Sequence, residues 1–244
     1  DVRSGELLWT FHTIPARGEV GFESWLTGND ITGNSGVWAA ISGDPELGHV
    51  YLSIEDPTGD YYGGDRHGDN LFSSGIVAVD VKTGERQWHY QFIHHDIWDW
   101  DNPSAPILAD LVIDGVERKI VALITKQGFV FVFDRLTGDP IWPIEERPVP
   151  QSDVPGEQTS PTQPFPTRPP ALTPTTGMSL DDAFDLTPAL QAAARGAMQQ
   201  LRFGPLYTPP ALGGNIVRPG WSGGANWWGA AFDPQTARLY VPSW

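Results

Sequence analysis

Residues 94–106 read HHDIWDWDNPSAP, with two histidines, three aspartates and two tryptophans in the first eight positions. Imidazole and carboxylate groups can bind a metal ion or move a proton. Tryptophans in the same stretch could pin a polar loop against a core. Residue types alone leave three uses open: a metal centre, acid–base chemistry, or a polar loop with aromatic anchors. Spacing weighs against a histidine-based metal centre. His94, His95 and Asp96 are consecutive, and neighbours in an extended chain point opposite ways, so they do not converge on one ion. His95 and Asp96 read instead as hydrogen-bonding groups that aim the loop, and Trp98 and Trp100 as its packing anchors.

The 244-residue chain has 40% hydrophobic residues, including 11 Trp and 11 Phe, enough for a packed core. Its formal charge of −15 argues against the basic face that phosphates need, so nucleic acid is not an expected partner. With no cysteine, disulfides, thiolate chemistry and CxxCH haem attachment are excluded. No apolar run approaches the ~20 residues of a membrane span, and nothing resembles a signal peptide. The chain starts at Asp1 without a methionine and stops at LYVPSW, so it reads as an interior portion of a longer protein.

The positioning elements are mostly strands. GHVYLSI (48–54), GIVAVD (75–80), ERQWHYQF (85–92), KIVALI (119–124), GFVFVFD (128–134) and ARLYV (237–241) are short, rich in β-branched and aromatic residues, and bounded by turn residues. A repeat, D-x-x-[ST]-G-x-x-x-W, occurs at 1–9, 80–88 and 134–142. In each copy a strand delivers an Asp, the turn closes at Gly, and a second strand carries a Trp expected to dock on a neighbouring unit. DPQTARLYV (233–241) reads as a degraded fourth copy with Ala237 in the glycine position. Repeated hairpins with Trp anchors suit propeller blades, and the unequal spacing requires long loops between them. The fold class is therefore all-β, a partial propeller with a Pro-rich and helical insertion over 143–213. Within it, 143–177 is expected to run as an extended, polyproline-like excursion. Residues 179–202 read as helix, with Thr187 as N-cap, Pro188 at the first helical position, and Leu190, Ala194, Met198 and Leu201 as the apolar stripe.

Seven motifs in order, namely the D-x-x-T-G-x-x-x-W repeats, TGNSGVWAAIS, DYYGGDRHGDNLF, HHDIWDWDNPSAP, TKQGFVFVFDRLTG, PIEERPVPQSDVPGEQTSPTQPFP and GGANWWGAAFDP, resemble the pyrroloquinoline-quinone (PQQ) dehydrogenases, on the quinoprotein glucose dehydrogenase branch. The resemblance covers the whole chain. It implies an eight-bladed β-propeller, of which residues 1–244 form about half the ring as part of a single domain, with PQQ and Ca²⁺ (or Mg²⁺) as cofactors. The implied reaction is oxidation of an aldose, or of another polyol or alcohol, with electrons passing to a quinone or a cytochrome. A periplasmic location follows from the family, with possible membrane association through a region outside this chain.

The resemblance also assigns residues. Asp99, closing H-D-I-W-D, matches the catalytic base, and Lys126 matches a cation beside the PQQ carbonyls, with both catalytic and cofactor roles. Trp38 matches the aromatic floor under the PQQ ring. Thr58 and Asn226 match groups near the cofactor, and Trp227 and Trp228 are candidates for a pocket wall. Asp56 stands where alcohol-oxidising relatives place a metal-binding Asn, so Asp56 and Asp99 are the candidate metal ligands. Asp101 reads as a loop carboxylate. Other metal and PQQ contacts of the family fall outside residues 1–244, so the isolated chain is expected to bind PQQ poorly. The alternative is a cofactor-free propeller scaffold for protein interaction in the cell envelope, which has no need to keep Trp38, Asp99, Lys126 and Asn226 together.

Overall fold

The computed structural model describes residues 1–243. The first sheet contains β1 (Ser42–Asp44), β2 (His49–Ile54), β3 (Gly75–Asp80) and β4 (Arg86–Gln91), antiparallel in sequence order. A second sheet contains β5 (Ile107–Ile113), β6 (Val116–Ile124) and β7 (Val130–Asp134), again antiparallel in sequence order. Two hairpins complete the strands: β8 (Ile144–Pro148) with β9 (Thr162–Pro166), and β10 (Ala231–Asp233) with β11 (Arg238–Tyr240).

Strand alternation buries both faces of the two larger sheets. On β3, Ile76 and Ala78 enter one apolar cluster while Val77 and Val79 enter another. On β7, Phe131 and Phe133 face the first sheet, and Val130 and Val132 face Phe232, Leu239 and Val241 of the last hairpin region. Side chains alternate across a strand, so a sheet apolar on both faces must sit between two layers. This is the stacking of successive propeller blades: one four-stranded, one three-stranded, and the opening hairpin of a third.

The repeated turn is the joint between blades. In two copies the aspartate carboxylate accepts from the next backbone N–H groups, as Asp80 does from Lys82 and Thr83 and Asp134 from Leu136 and Thr137. The tryptophan of one copy lies across the glycine of the next. A Cβ on Gly84 would come within 2.5 Å of the Trp9 ring, and one on Gly138 within 2.6 Å of the Trp88 ring. The indole N–H then donates to a carbonyl of that next turn, Trp9 to Val81 at 3.1 Å and Trp88 to Arg135 at 3.2 Å. Only glycine leaves space for a ring at that distance.

Four expectations are corrected. A fifth turn of the same build, Asp44 to Gly48, closes β1–β2 and is absent from the repeat as read. Residues 233–241 are its counterpart: Asp233 pairs with Arg238 as Asp44 pairs with His49, and Val241 and Leu52 stand where the other copies carry Trp. Ala237 still adopts the left-handed conformation of the replaced glycine, at φ 53°. After Gly138 the second strand shrinks to one bridge, Phe133 to Pro140, because proline has no N–H for the ladder. The Pro-rich excursion is not wholly extended surface chain, since β8 and β9 pair within it and Phe165 enters the main core. The helical region is broken into a single 3-10 turn, Leu180–Asp182, and helix α1, Pro188–Met198. Thr187 caps α1 by accepting from Leu190 N–H, but of the expected stripe only Met198 is buried, while Leu190 and Leu201 are 45% and 37% exposed. No helix among the described residues is long and apolar enough to cross a membrane.

Candidate active site

The loops following β2, β4 and β6 bring the candidate residues together. Asp56 lies two residues beyond β2, Lys126 two beyond β6, and residues 92–106 connect β4 to β5. The 92–106 loop has no regular structure, and its backbone is shaped by left-handed residues at His95 (φ 51°) and Asp99 (φ 57°). Non-glycine residues in this region cost energy and persist only where the surroundings fix them.

The surroundings here are polar and buried. His95 Nε2 meets Glu157 Oε1 at 2.6 Å and its Nδ1 meets the Gly68 carbonyl at 2.9 Å. Asp96 accepts from the Ser74 hydroxyl and the Trp98 backbone N–H. Burial pushes the Asp96 carboxyl up to about 6, against the pull of those two hydrogen bonds. Arg66, 1% exposed, donates to the carbonyls of Thr58, Gly59 and Asp96 and to Asn70 Oδ1. One guanidinium therefore joins the segment after β2 to the segment after β4. Trp98 and Trp100 stack at 5.6 Å, with Tyr207 edge-on to both. Their indole N–H groups donate to the carbonyls of Thr208 and Gly220. The loop is thus clamped from below by rings and from the side by ions.

Asp99 emerges from this mounting half-buried. Its Oδ2 accepts from the Tyr61 hydroxyl at 3.1 Å, and Lys126 Nζ donates to its carbonyl at 2.8 Å and to Oδ1 at 3.3 Å. Lys126 also donates to Asp101 Oδ2 at 2.8 Å, and Asp101 Oδ1 accepts from Asp56 N–H. One oxygen each from Asp56, Asp99 and Asp101 lies within 4.8 Å of the others. Asp101 is thus no ordinary loop carboxylate but a third member of the Asp56–Asp99 cluster.

The three carboxyls differ in proton affinity. Burial, then the hydrogen bond with Asp101 and the neighbouring negative charges, pushes Asp56 up to about 11. Burial also acts to raise Asp101, but the Asp56 hydrogen bond and the Lys126 charge outweigh it and hold that carboxyl below its ordinary value. Burial raises Asp99 above the ordinary aspartate value while Lys126 and Tyr61 pull the other way. Burial acts to lower Lys126, yet Asp101 and Asp99 together raise it, so its ammonium stays charged.

The donor set suits a hard cation. All the converging atoms are carboxylate oxygens, and Asp56 Oδ2 is buried with no hydrogen-bond partner. The remaining predicted residues lie differently. Trp38 is 57% exposed, unlike the buried Trp88, Trp98 and Trp100, and its ring is free to take a flat ligand. Thr58 is exposed, with its carbonyl held by Arg66. Asn226 is half-buried and spends its side chain within its own turn, donating to the Ser222 carbonyl and accepting from Trp227 N–H. Trp227 is 68% exposed, whereas Trp228 donates to the Pro242 carbonyl. Sequence reading quoted Tyr61 and Arg66 within DYYGGDRHGDNLF and Glu157 within the Pro-rich motif but gave them no role, because all three are distant in the chain from the 94–101 motif they contact.

A family model described as PQQ: Glucose/ethanol/alcohol dehydrogenase, beta-propeller domain, matches residues 1–244. The glycerol dehydrogenase large subunit of Gluconobacter oxydans is 36% identical over 250 residues, covering 100% of this chain and 33% of the relative. The quinoprotein glucose dehydrogenase of Escherichia coli is 36% identical over 242 residues, covering 96% of this chain and 29% of the relative. Among solved structures, the quinohemoprotein alcohol dehydrogenase of Comamonas testosteroni superposes with a TM-score of 0.56 at 28% identity, covering 86% of this chain and 26% of that one. The chain spans about a third or less of the length of these relatives.

Proposed function

Because the chain belongs to the PQQ-dependent glucose/ethanol/alcohol dehydrogenase β-propeller family, we infer that its protein oxidises the hydroxyl of an aldose, giving the lactone, or of another polyol or alcohol. The observation that carries the reading is the meeting of Asp99, Lys126, Asp56 and Asp101 at one end of the blades.

Asp99 is the general base, taking the proton of the substrate hydroxyl on its carboxylate. Tyr61 and Lys126 fix its two oxygens and favour the ionised form, which it needs in order to accept that proton. PQQ, when bound, supplies the hydride acceptor that completes the two-electron oxidation of the carbinol carbon. Lys126 would supply the positive charge that stabilises a bound quinone as it is reduced. Asp56, Asp99 and Asp101 would hold Ca²⁺ or Mg²⁺, whose contribution is Lewis acidity. Trp38, whose ring is exposed, would hold the flat quinone when it is bound, with Thr58 and Asn226 as further candidate contacts. The buried Trp98–Trp100 pair keeps water from beneath the base. Electrons leave to a quinone or a cytochrome. The location that suits this chemistry is the periplasm, with any membrane attachment made by a region outside residues 1–244.

The test is reconstitution of the full-length protein with PQQ and Ca²⁺, followed by assay across sugars, polyols and alcohols. Retained PQQ absorbance with turnover of at least one class is the expected result. No retained PQQ and no turnover would overturn the reading and leave the scaffold.

A further inference from the structure

Tyr61 stands between two environments. Its hydroxyl donates to Asp99 Oδ2, and its ring lines an open cleft of about 820 Å³. Trp98, which precedes the base in the chain, lines the same cleft, as do Leu212, Val217, Trp221 and Asn215. The volume is that of a small-molecule site. Among the described residues, no Asp, Glu, Lys, Arg or His lines it. Its polar side-chain groups are the Asn215 amide, two tyrosine hydroxyls and the indole N–H groups of Trp98 and Trp221, and of these the Tyr62 hydroxyl is already given to the Pro155 carbonyl and the Trp98 N–H to the Thr208 carbonyl. A sugar body seated there would leave most of its hydroxyls without partners, at the cost of their desolvation. Leu212 and Trp221 meanwhile present 84% and 65% of their surface to solvent, apolar area that an occupant would cover.

We propose that this cleft is a specificity subsite for the apolar body of an alcohol substrate, an aryl or alicyclic carbinol, whose hydroxyl reaches Asp99 alongside Tyr61. The assignment rests on Asp99 being the base, as inferred above. Within the sugars, polyols and alcohols open to the site, it selects alcohols with a hydrophobic body. An acceptor quinone is the competing apolar occupant. The direct link from the cleft wall to the base favours the substrate, because only the substrate hydroxyl gives up a proton there.

The experiment has a binding arm and a kinetic arm, both on the full-length protein. Binding is read without PQQ by saturation-transfer NMR, titrating acetophenone, a ketone with no carbinol hydrogen to lose, beside glucose and a short-chain benzoquinone. Trp221→Ala and Leu212→Ser change solvent-exposed side chains, so folding is insulated from both, and Val112→Ala on β5 is the control. Acetophenone is expected to bind, with its Kd raised about fivefold or more by either cleft variant and unmoved by the control. With PQQ and Ca²⁺ present, the kcat/KM ratio of 1-phenylethanol over glycerol should fall roughly tenfold in Trp221→Ala, mainly through KM. Unchanged acetophenone binding in both variants, or a Trp221 dependence confined to the benzoquinone, overturns the subsite while leaving the dehydrogenase reading intact. Acetophenone binding at Trp221 in a protein that retains no PQQ and oxidises nothing overturns the dehydrogenase reading, and the substrate assignment with it.

Discussion

The blades and the loops at their ends are built by opposite means. Between the sheets, stability comes from many interchangeable apolar contacts: Ile76, Val121, Leu123, Phe131 and Phe133 share one cluster, and each is backed by several others. Around Asp99, stability comes from single polar contacts that have no substitute. Arg66, His95, Asp96, Asp101 and Lys126 are all buried, and each is held by a few specific polar partners. Apolar burial is non-directional and tolerates exchange, whereas a buried charge must find its partner or forfeit several kcal/mol. The blades therefore can repeat a short motif, and the site cannot. A rigid stack supplies the fixed ends from which a strained loop presents one carboxylate.

That contrast can be broken by substitutions on each side of it. Asp99→Asn should lower kcat of the reconstituted full-length protein by about three orders of magnitude, since it removes the base. Its thermal midpoint should stay close to that of the parent, because Asp99 is half-buried and outside the core. A parallel loss of midpoint would merge the two regions. Trp88→Ala should do the reverse. Loss of a nearly buried indole from the blade joint costs about 3–5 kcal/mol, or about 10 °C in midpoint, as calorimetry would record.

Lys126→Met probes the electrostatics of the site. Burial raises the Asp99 carboxyl and Lys126 opposes that rise, so removing the ammonium shifts the carboxyl further upward. A base must be ionised to act, so the acid limb of kcat/KM should move to higher pH. A pH–rate profile with an unmoved or lowered limb would mean that the lysine does not govern the base. The smallest effect belongs to the repeat itself. Ala237 sits at φ 53° in a turn whose counterparts use glycine, and Ala237→Gly should stabilise the protein by about 1 kcal/mol in chemical denaturation.

Legibility followed the same division. The strands and four of the turn copies, the degraded one at 233–241 included, were readable because both depend on local pattern: alternation, an Asp that accepts from the next N–H groups, and a Gly that leaves room for a ring. The Asp44 turn escaped because Leu47 replaces the Ser/Thr and Leu52 the tryptophan, so both marks of the motif are missing. The reading of 179–202 as helix failed between Ala183 and Leu186, although the Thr187–Pro188 start was marked correctly. At the site, the ordered motifs singled out Asp99, Lys126 and Asp56. They gave no sign that Asp101 turns toward that pair or that Glu157, from the Pro-rich segment, reaches His95.

By itself the sequence determined the all-β repeat, the family and the loop that carries the proposed base, because each rests on residues a few positions apart. Only the tertiary structure decided which carboxylates converge, which lysine sits between two of them, and that Tyr61 joins Asp99 to an apolar cleft. Those contacts span 25 to 45 positions in the chain, as between Lys126 and Asp101 and between Asp56 and Asp101. Their energies depend on burial, which no local pattern encodes.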